Sequence, residues 1–133
     1  MNSFHLTVIT PDGVCFDGQA ESLLVRTTEG DIEILAGHSE LVAAIGIGRA
    51  RIIADGKSRV ASVSGGMLSV KGKEVKLVPI TFEFKEEIDL ERAKAARDKA
   101  EEKIKRAKND GELKFAKTKL MRALSRINVA SSK

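Results

Sequence analysis

The strongest constraint in this sequence is an abrupt change of composition near residue 85. Ten of the eleven glycines and both prolines lie in residues 1–84, which carry 8 basic and 10 acidic side chains. Residues 85–133 carry 15 basic and 9 acidic side chains and a single glycine, so turn-forming residues stop where a positively charged stretch begins. We therefore predict two units, 1–84 and 85–133, within a length that suits one small domain and an appended element.

Residues 1–84 show the alternation of apolar and polar side chains that half-buried strands require, as in Phe4, Leu6 and Val8. Turn signals rich in glycine separate the alternating runs at the spacing typical of a β-sandwich. We interpret Gly46-Ile47-Gly48 as a bulge or turn and Ser64-Gly65-Gly66 as a tight backbone corner, because neither completes a phosphate-binding or nucleophile motif. This unit is predicted to be an antiparallel β-sandwich.

Residues 85–133 show helical periodicity, which makes the predicted fold class α+β, an antiparallel β-sandwich followed by an antiparallel two-helix hairpin. Asn109-Asp110-Gly111 interrupts the pattern, with Asp110 suited to cap the second helix and Gly111 to turn the chain. Because the first stripe is mostly alanine, the helices should approach closely, bury little area and be only marginally stable together. The two predicted stripes are Ala93, Ala96, Ala100, Ile104 and Ala107, and Leu113, Ala116, Leu120, Leu124 and Ile127.

Composition argues against several classes of function. One cysteine and two histidines form neither an internal disulfide nor a zinc cluster, and no nucleophile motif accompanies them, so we expect a metal-free, non-catalytic protein of a reducing compartment. An aromatic fraction of 4% leaves little for a platform that stacks nucleic-acid bases. The amino terminus lacks signal-peptide features and no apolar run approaches the roughly 18 residues of a membrane span. We therefore expect a soluble, unexported chain without direct membrane insertion.

The basic hairpin allows three interpretations. Arg122 and Arg126 are four residues apart, hence on one helical face, and Arg92 lies near the start of the partner helix with Asp89 beside it. Three guanidinium groups at one end of a hairpin would suit a polyphosphate, because each can bind phosphate oxygens bidentately. Spacing alone favours an ordinary solvated face. Binding of nucleic acid is the third interpretation, and interspersed glutamates weaken it.

Four segments in order resemble the epsilon subunits of bacterial F-type ATP synthases, and the resemblance covers the whole chain. They are TPDG at 10–13 followed by Phe16, TTEGDIEILAGHSELV at 27–42, VSGGML at 63–68 and IDLERAKAA at 88–96. The resemblance implies that residues 1–84 bind the gamma subunit and the c-ring, and that residues 85–133 form a mobile hairpin that restrains ATP hydrolysis. It implies no catalysis within this subunit.

The same resemblance implies where the protein acts and what it meets. It places the chain at the cytoplasmic face of the bacterial cell membrane as a peripheral subunit, with the extended hairpin reaching the alpha and beta subunits. It implies no nucleic-acid partner and no metal. A stand-alone β-sandwich module whose basic hairpin binds nucleic acid is kept as the alternative.

The resemblance also implies a set of contacts with the c-ring. In such proteins the loop that corresponds to Glu29, Gly30 and Asp31, with His38 nearby, faces the polar loops of the ring. This chain departs from the family pattern in two places. Ala36 replaces a common proline before Gly37, and Glu40 stands where a proline usually follows the Gly-His pair. Both departures affect the stiffness of the loop that carries His38.

Some members of this family bind ATP in the folded hairpin, and the resemblance carries that site over as a regulatory one. Their motif, I/L-D-x-x-R-A, is matched from Ile88 to Ala93. An arginine expected seven residues after Arg92 is Lys99 here, which keeps the charge and loses the planar fork. The implied ATP-binding residues are Glu83, Ile88, Asp89, Arg92, Ala93, Lys99, Arg122 and Arg126.

Overall fold

The computed structural model describes residues 2–132, which contain nine strands, one 3₁₀ turn and two helices. Two compact units emerge, Met1–Phe84 and Lys85–Lys133. The first holds β1 (Phe4–Thr10), β2 (Gly13–Ala20), β3 (Ser22–Thr27), β4 (Gly30–Leu35), β5 (Leu41–Ala54), β6 (Lys57–Ser64), β7 (Met67–Lys71), β8 (Glu74–Val78) and β9 (Thr81–Phe84). The second holds the 3₁₀ turn Lys85–Glu87, α1 (Leu90–Arg106) and α2 (Asp110–Ala130). The predicted α+β class is confirmed.

The strands form two sheets that share one strand. The first sheet has the order β2-β1-β8-β7-β5 and the second the order β4-β3-β5-β6-β9. Strand β5 supplies both, because Leu41–Ala44 pairs with β7 and the segment from Ile45 onward pairs with β3 and β6. A 14-residue strand that leaves one layer and enters the other joins the two sheets covalently.

One pairing departs from the predicted antiparallel sandwich. Strand β1 pairs with β8 in parallel, with His5–Val8 opposite Glu74–Leu77. The direction of β8 is set by its hairpin with β7, so β8 reaches β1 running the same way. A parallel pair needs a long connection, and here the rest of the sandwich provides it. The other pairings are antiparallel among the described residues.

The core between the sheets is built from the alternating positions that the sequence indicated. In β1 every second residue from Phe4 is buried, and in β8 the same holds for Val75 and Leu77. Alternation places these side chains on one face of each strand, so they interdigitate in a common apolar layer. Side chains that are fully buried in this layer include Leu6, Val8, Leu23, Val25, Ile34, Ile52, Val63 and Leu68.

The two glycines around Ile47 form a bulge in β5, as predicted. Val25 pairs with Ala50 and Thr27 pairs with Ile45, so a single β3 residue, Arg26, lies opposite four residues of β5. Extra residues of this kind bend a strand and increase its twist, which fits the point where β5 passes between sheets. A Cβ at Gly46 would lie 3.0 Å from the carbonyl oxygen of Thr27, so glycine allows the close approach.

The corner at Ser64-Gly65-Gly66 is confirmed as a tight turn. Gly65 and Gly66 have φ angles of 68° and 96°, in the left-handed region that favours glycine. The corner is tied to its neighbours because the amide of Ile45 donates to the oxygen of Gly66 at 2.9 Å. A Cβ at Gly66 would fall 2.0 Å from the carbonyl oxygen of Val78.

The turn of the hairpin differs from the prediction. Asn109, not Asp110, caps α2, and its side chain accepts a hydrogen bond from the amide of Glu112 at 2.8 Å. The carboxylate of Glu112 in turn accepts from the amide of Lys108 at 2.8 Å, so two amides at the helix start are satisfied reciprocally. Gly111 lies in the first turn of α2 and does not turn the chain.

The helices meet through alanines spaced seven residues apart, and three of the four, Ala93, Ala100 and Ala116, belong to the predicted stripes. Ala93 and Ala100 are buried on α1, and Ala116 and Ala123 are buried on α2. Because alanine has no side chain beyond Cβ, helix backbones can approach closely there while little apolar area is buried. The predicted stripe positions Ala96 and Leu124 are exposed, so they do not belong to the interface.

Candidate functional site

The turn between β3 and β4 carries three of the four expected c-ring contacts. The Thr27 hydroxyl donates to the oxygen of Gly30 at 2.6 Å and accepts from the amide of Glu29 at 3.1 Å, which sets the backbone of the turn. Gly30 has a φ of 116°. Asp31 accepts a hydrogen bond from Nε of Arg26 at 2.6 Å, and this carboxylate raises the pKa of Arg26 above its usual value. Arg26 was not among the predicted residues, although it flanks the turn symmetrically with Asp31.

The fourth expected contact, His38, lies beyond the other end of β4. Its amide donates to the oxygen of Leu35 at 3.1 Å, and its Nδ1 lies 2.8 Å from the oxygen of Ser39. Leu35 is four residues along the strand from Asp31, a separation of about 13 Å at the usual rise of a strand. The structure therefore groups Glu29, Gly30 and Asp31 and does not bring His38 beside them.

An exposed apolar row crosses the outer face of the first sheet. Ile9 of β1 pairs with Val14 of β2, and Met67 of β7 pairs with Val78 of β8 and with Ala44 of β5. Ile9 and Val78 are also neighbours, because each comes directly after the last residue pair between β1 and β8. The exposed fractions are 64% for Val14, 38% for Ile9 and 47% for both Val78 and Met67. We call these four residues, together with the exposed Ala44, the apolar row. Ile9, Met67 and Val78 point outward because they alternate with buried neighbours in their strands, whereas only the strand order aligns the row.

The same outer face carries a charged cluster around His5. Its Nε2 lies 2.6 Å from Oδ1 of Asp17, and its Nδ1 lies 2.8 Å from Oε2 of Glu74. Hydrogen bonds to these two carboxylates raise the pKa of His5 above the ordinary value of 6.5. A protonated imidazole donates from both nitrogens, so His5 joins β1 to β2 and β8. This places His5 in a structural role and not in catalysis.

We expect the stabilising effect of His5 to depend on pH. Because the pKa of His5 is raised in the folded state, its contribution is fully present below the unfolded pKa of about 6.5 and is lost as pH rises through the folded pKa. His5→Gln should therefore lower the melting temperature at acidic pH, and the difference from the wild type should shrink at alkaline pH. In Asp17→Asn plus Glu74→Gln that pH-dependent difference should vanish. A difference that grows with pH would contradict this role.

The motif from Ile88 to Ala93 forms the start of α1. Asp89 is the N-cap, and its carboxylate accepts a hydrogen bond from the amide of Arg92 at 3.1 Å. Ile88 is half-buried just before the cap, and Ala93 is buried against the partner helix. An apolar residue before the cap and another one turn into the helix are typical of a helix entry that is stapled in place. Helix capping thus accounts for much of this motif.

The basic residues of the expected ATP site lie mainly at the open end of the hairpin. Arg92 is in the first turn of α1, and Arg126 is near the end of the antiparallel helix α2, one turn beyond Arg122. Arg122 and Arg126 are half-buried, and Arg92 is exposed. Lys99 is exposed and lies about 10 Å along α1 from Arg92. Glu83 belongs to β9 in the first unit, where its backbone pairs with Ser62.

Two shallow cavities lie at the opposite, turn end of the hairpin around Phe115. They measure about 260 and 350 Å³, and Phe115 is 61% exposed between them. Lys119 lies 4.6 Å from the centre of the Phe115 ring, and its ammonium group lowers the pKa of the neighbouring Lys103, first through a side-chain hydrogen bond and then through its charge. Arg122 lines the larger cavity, but neither cavity is lined by Arg92 or Arg126, so the cavities overlap the expected ATP site only at Arg122.

The described residues offer neither a metal site nor a membrane-spanning helix. In residues 2–132, no group of three or more His, Cys, Asp or Glu side chains is arranged to hold a metal ion. The described helices include none with the length and apolar character needed to cross a membrane.

Comparison with known proteins identifies both units of this chain. Residues 3–85 match the family described as ATP synthase, Delta/Epsilon chain, beta-sandwich domain, and residues 86–131 match its long alpha-helix domain. An ATP synthase epsilon chain from Bacillus velezensis is 37% identical over 99% of this chain and 100% of its own length. Another from Caldicellulosiruptor bescii is 38% identical over 98% of this chain and 95% of its own length.

Solved structures of low sequence identity share the fold. A chain in the mitochondrial ATP synthase of Euglena gracilis, described as OSCP/F1/c-ring, superimposes with a TM-score of 0.82 at 23% identity, covering 94% of this chain and 79% of that one. A chain in the central stalk/c-ring structure from Tetrahymena thermophila gives 0.64 at 12% identity, covering 96% of each chain. With the full-length matches to bacterial relatives, these findings mean that the chain belongs to the ATP synthase delta/epsilon family, among its bacterial epsilon chains.

Proposed function

We propose that this chain is a non-catalytic subunit of the central stalk, in which the β-sandwich joins the gamma subunit to the c-ring and the hairpin restrains ATP hydrolysis. It would act at the cytoplasmic face of the bacterial membrane as a peripheral subunit. The observation that carries the proposal is the apolar row. Val14, Ile9, Val78, Met67 and Ala44 line up across one outer face of a small domain, and contiguous apolar patches of this kind mark protein interfaces.

Both outer faces of the sandwich carry ion pairs, those of the first sheet around His5, but the apolar row lies on the first sheet, which supports that sheet as the docking face. The second sheet carries ion pairs on its outer side, Arg26 with Asp31 at 2.6 Å and Arg51 with Glu33 at 3.1 Å. Exposed ion pairs keep a face solvated, whereas the apolar row gains free energy when a partner covers it. The gamma subunit is the partner we assign to the apolar row, and the turn at Glu29–Asp31 is the part we assign to the polar loops of the c-ring.

A charge placed in the apolar row should release the gamma subunit. We expect Met67→Glu to weaken binding of the full-length chain to gamma by tenfold or more, because a carboxylate within the row would be desolvated when the partner covers it. The melting temperature should change little, since Met67 is 47% exposed. Lys71→Glu, an exposed position on the same strand outside the row, is the matched control. Equal binding by Met67→Glu and the wild type would contradict the assignment of the docking face.

The hairpin supports the regulatory half of the proposal through its weak interface. Among the described residues, the buried apolar side chains of the two helices are four alanines and Val129, so burial contributes little against a backbone ordering cost of about 1–2 kcal/mol per residue. A ligand that binds only the closed form, at 100 times its dissociation constant, adds about 2.7 kcal/mol, enough for about a hundredfold shift in population. ATP held by Arg92, Arg122 and Arg126 would be that ligand.

The open hairpin would act on the catalytic head. Helices of 17 and 21 residues would extend about 26 and 32 Å along gamma, far enough to bring their basic side chains to the alpha and beta subunits. The nucleic-acid alternative is weakened because acids interrupt the positive field, with Arg97 and Arg106 each 3.8 Å from a glutamate on their own helix. Retention on DNA at moderate salt, without binding to gamma, would favour that alternative.

A further inference from the structure

We propose that Arg26 is part of the c-ring contact and positions Asp31 within it, so that the ring meets a pair of opposite charges and not an acidic turn. The inference rests on the proposed function, which assigns the Glu29–Asp31 turn to the c-ring. Arg26 lies at the end of β3 and Asp31 at the start of β4, opposite each other in the strand ladder. Nothing in the family motifs named above includes Arg26.

The geometry of the pair is well defined. Nε of Arg26 donates to Oδ1 of Asp31 at 2.6 Å, and the two side chains are 48% and 49% exposed. Within residues 2–132, this carboxylate is the one hydrogen-bond partner of the Arg26 side chain. The bond uses Nε, so the two terminal amino groups of the guanidinium stay available for an acceptor on a partner, and Asp31 keeps a second oxygen for a donor.

Strand β5 has a local structure that accommodates this arginine. Its bulge places Gly46 and Gly48 opposite Arg26, where larger residues would compete for space. A Cβ at Gly48 would lie 3.0 Å from both Cβ and Cγ of Arg26, and a Cβ at Gly46 would lie 3.4 Å from Cγ. The arginine stem therefore packs against bare backbone, which holds the guanidinium over the turn. The bulge therefore leaves space for the Arg26 side chain and also bends β5.

The charge of the turn changes once Arg26 is counted. Glu29 and Asp31 contribute two negative charges and Arg26 one positive charge, which leaves one net negative charge. A polar loop that offers both a cation and an acceptor matches this arrangement better than a purely basic loop. Replacement of Asp31 by arginine would set two guanidinium groups together and disturb the turn itself. Charge reversal at Asp31 alone is therefore a poor test of the contact.

The experiment measures how tightly full-length variants restore coupled proton transport to membranes whose ATP synthase lacks this subunit. We expect Arg26→Ala to raise the concentration for half-maximal restoration by about threefold to tenfold, more at low salt than at high salt. Gly48→Ala should do the same without any change of charge, because its methyl group displaces the Arg26 stem. Gly18→Ala is the matched control, since its Cβ would meet only the Phe16 ring at 3.9 Å.

A charge swap separates positioning from simple stabilisation. Arg26→Asp combined with Asp31→Arg keeps an ion pair within the chain, so it should restore thermal stability but not ring binding. Recovery of ring binding by the swap would overturn the inference. If Glu29→Ala and Asp31→Ala weaken binding while Arg26→Ala does not, the inference alone fails. If all three variants bind normally while gamma binding persists, the assignment of this turn to the c-ring fails with it.

Discussion

Gly66→Ala should unfold the β-sandwich or bring it close to unfolding at room temperature. The new Cβ would lie 2.0 Å from the carbonyl oxygen of Val78 and 2.6 Å from Cα of Pro79, and both atoms belong to the backbone. A φ of 96° adds strain of its own for any residue with a side chain. We expect the free energy of unfolding to fall by about 4 kcal/mol or more, a large share of the roughly 5–15 kcal/mol that domains possess.

The measurement is urea unfolding followed by circular dichroism, with Gly56→Ala as the matched control. Gly56 also has a positive φ, 72°, but no atom lies within 4 Å of the Cβ that alanine would add. Its substitution should cost only about 1–2 kcal/mol, the strain of the left-handed region. The difference between the two variants isolates the steric contact with the end of β8 and with Pro79. Equal losses in the two variants would show that the corner relaxes without cost.

Ala100→Leu should open the helical hairpin and remove its response to ATP. Ala100 is 2% exposed at the seam between α1 and α2, where larger side chains would force the helices apart. Overpacking typically costs about 1–3 kcal/mol, which at 1.4 kcal/mol per tenfold reduces the closed population by about fivefold to somewhat over a hundredfold. In the proposed mechanism, the ATP concentration for half-maximal binding rises by the same factor, and inhibition of hydrolysis becomes stronger.

Ala96→Leu is the matched control for this experiment. Both positions lie on α1, and leucine is nearly as good a helix former as alanine, so helix propensity changes little in either variant. Ala96 is exposed, so its leucine should leave ATP titration and hydrolysis unchanged. ATP binding by the isolated full-length protein, followed by calorimetry, is the direct readout. A loss in Ala96→Leu but not in Ala100→Leu would mean that the helices pack differently.

Local sequence patterns predicted the strands and turns of this fold better than they predicted which strands pair with each other. Alternation in β1 correctly indicated the buried set from Phe4 to Val8, and the glycine corner at residues 65–66 was correctly predicted, because both depend on neighbours in sequence. The parallel pairing of β1 with β8 depends on residues about 70 positions apart, and strand periodicity carries no information on that choice.

The hairpin seam shows the same limit at smaller scale. A helical stripe that contains Ala93 and Ala100 can pass through either Ala96 or Arg97, because both positions lie near the line that connects the two alanines on the helix surface. The structure places Arg97 beside the seam with 35% of its side chain exposed, while Ala96 faces away. A long aliphatic stem covers more of the partner helix than a methyl group, so partner contacts decide the choice. Helical period alone does not distinguish them.

The candidate contacts were predicted in part. Glu29, Gly30 and Asp31 share one turn, as the resemblance implied, and the loop of His38 lies elsewhere. Arg26 could have been suspected, because a charge of opposite sign stands at the matching position across the turn. The apolar row could not have been predicted from the sequence, because its members come from five strands whose order only the folded sheet establishes.

The parallel pairing of β1 and β8 has a consequence for how the chain folds as it is synthesised. Strand β1 leaves the ribosome first, but one of its two edges stays open until β8 has emerged, some 69 residues after His5. Closing so long a loop has a large entropic cost, and domains rich in such distant contacts fold slowly. The exposed edge of β1 is therefore the segment most in need of protection during synthesis, and a chaperone that binds extended apolar strands should recognise Phe4–Thr10 in nascent chains from which β8 has not yet emerged.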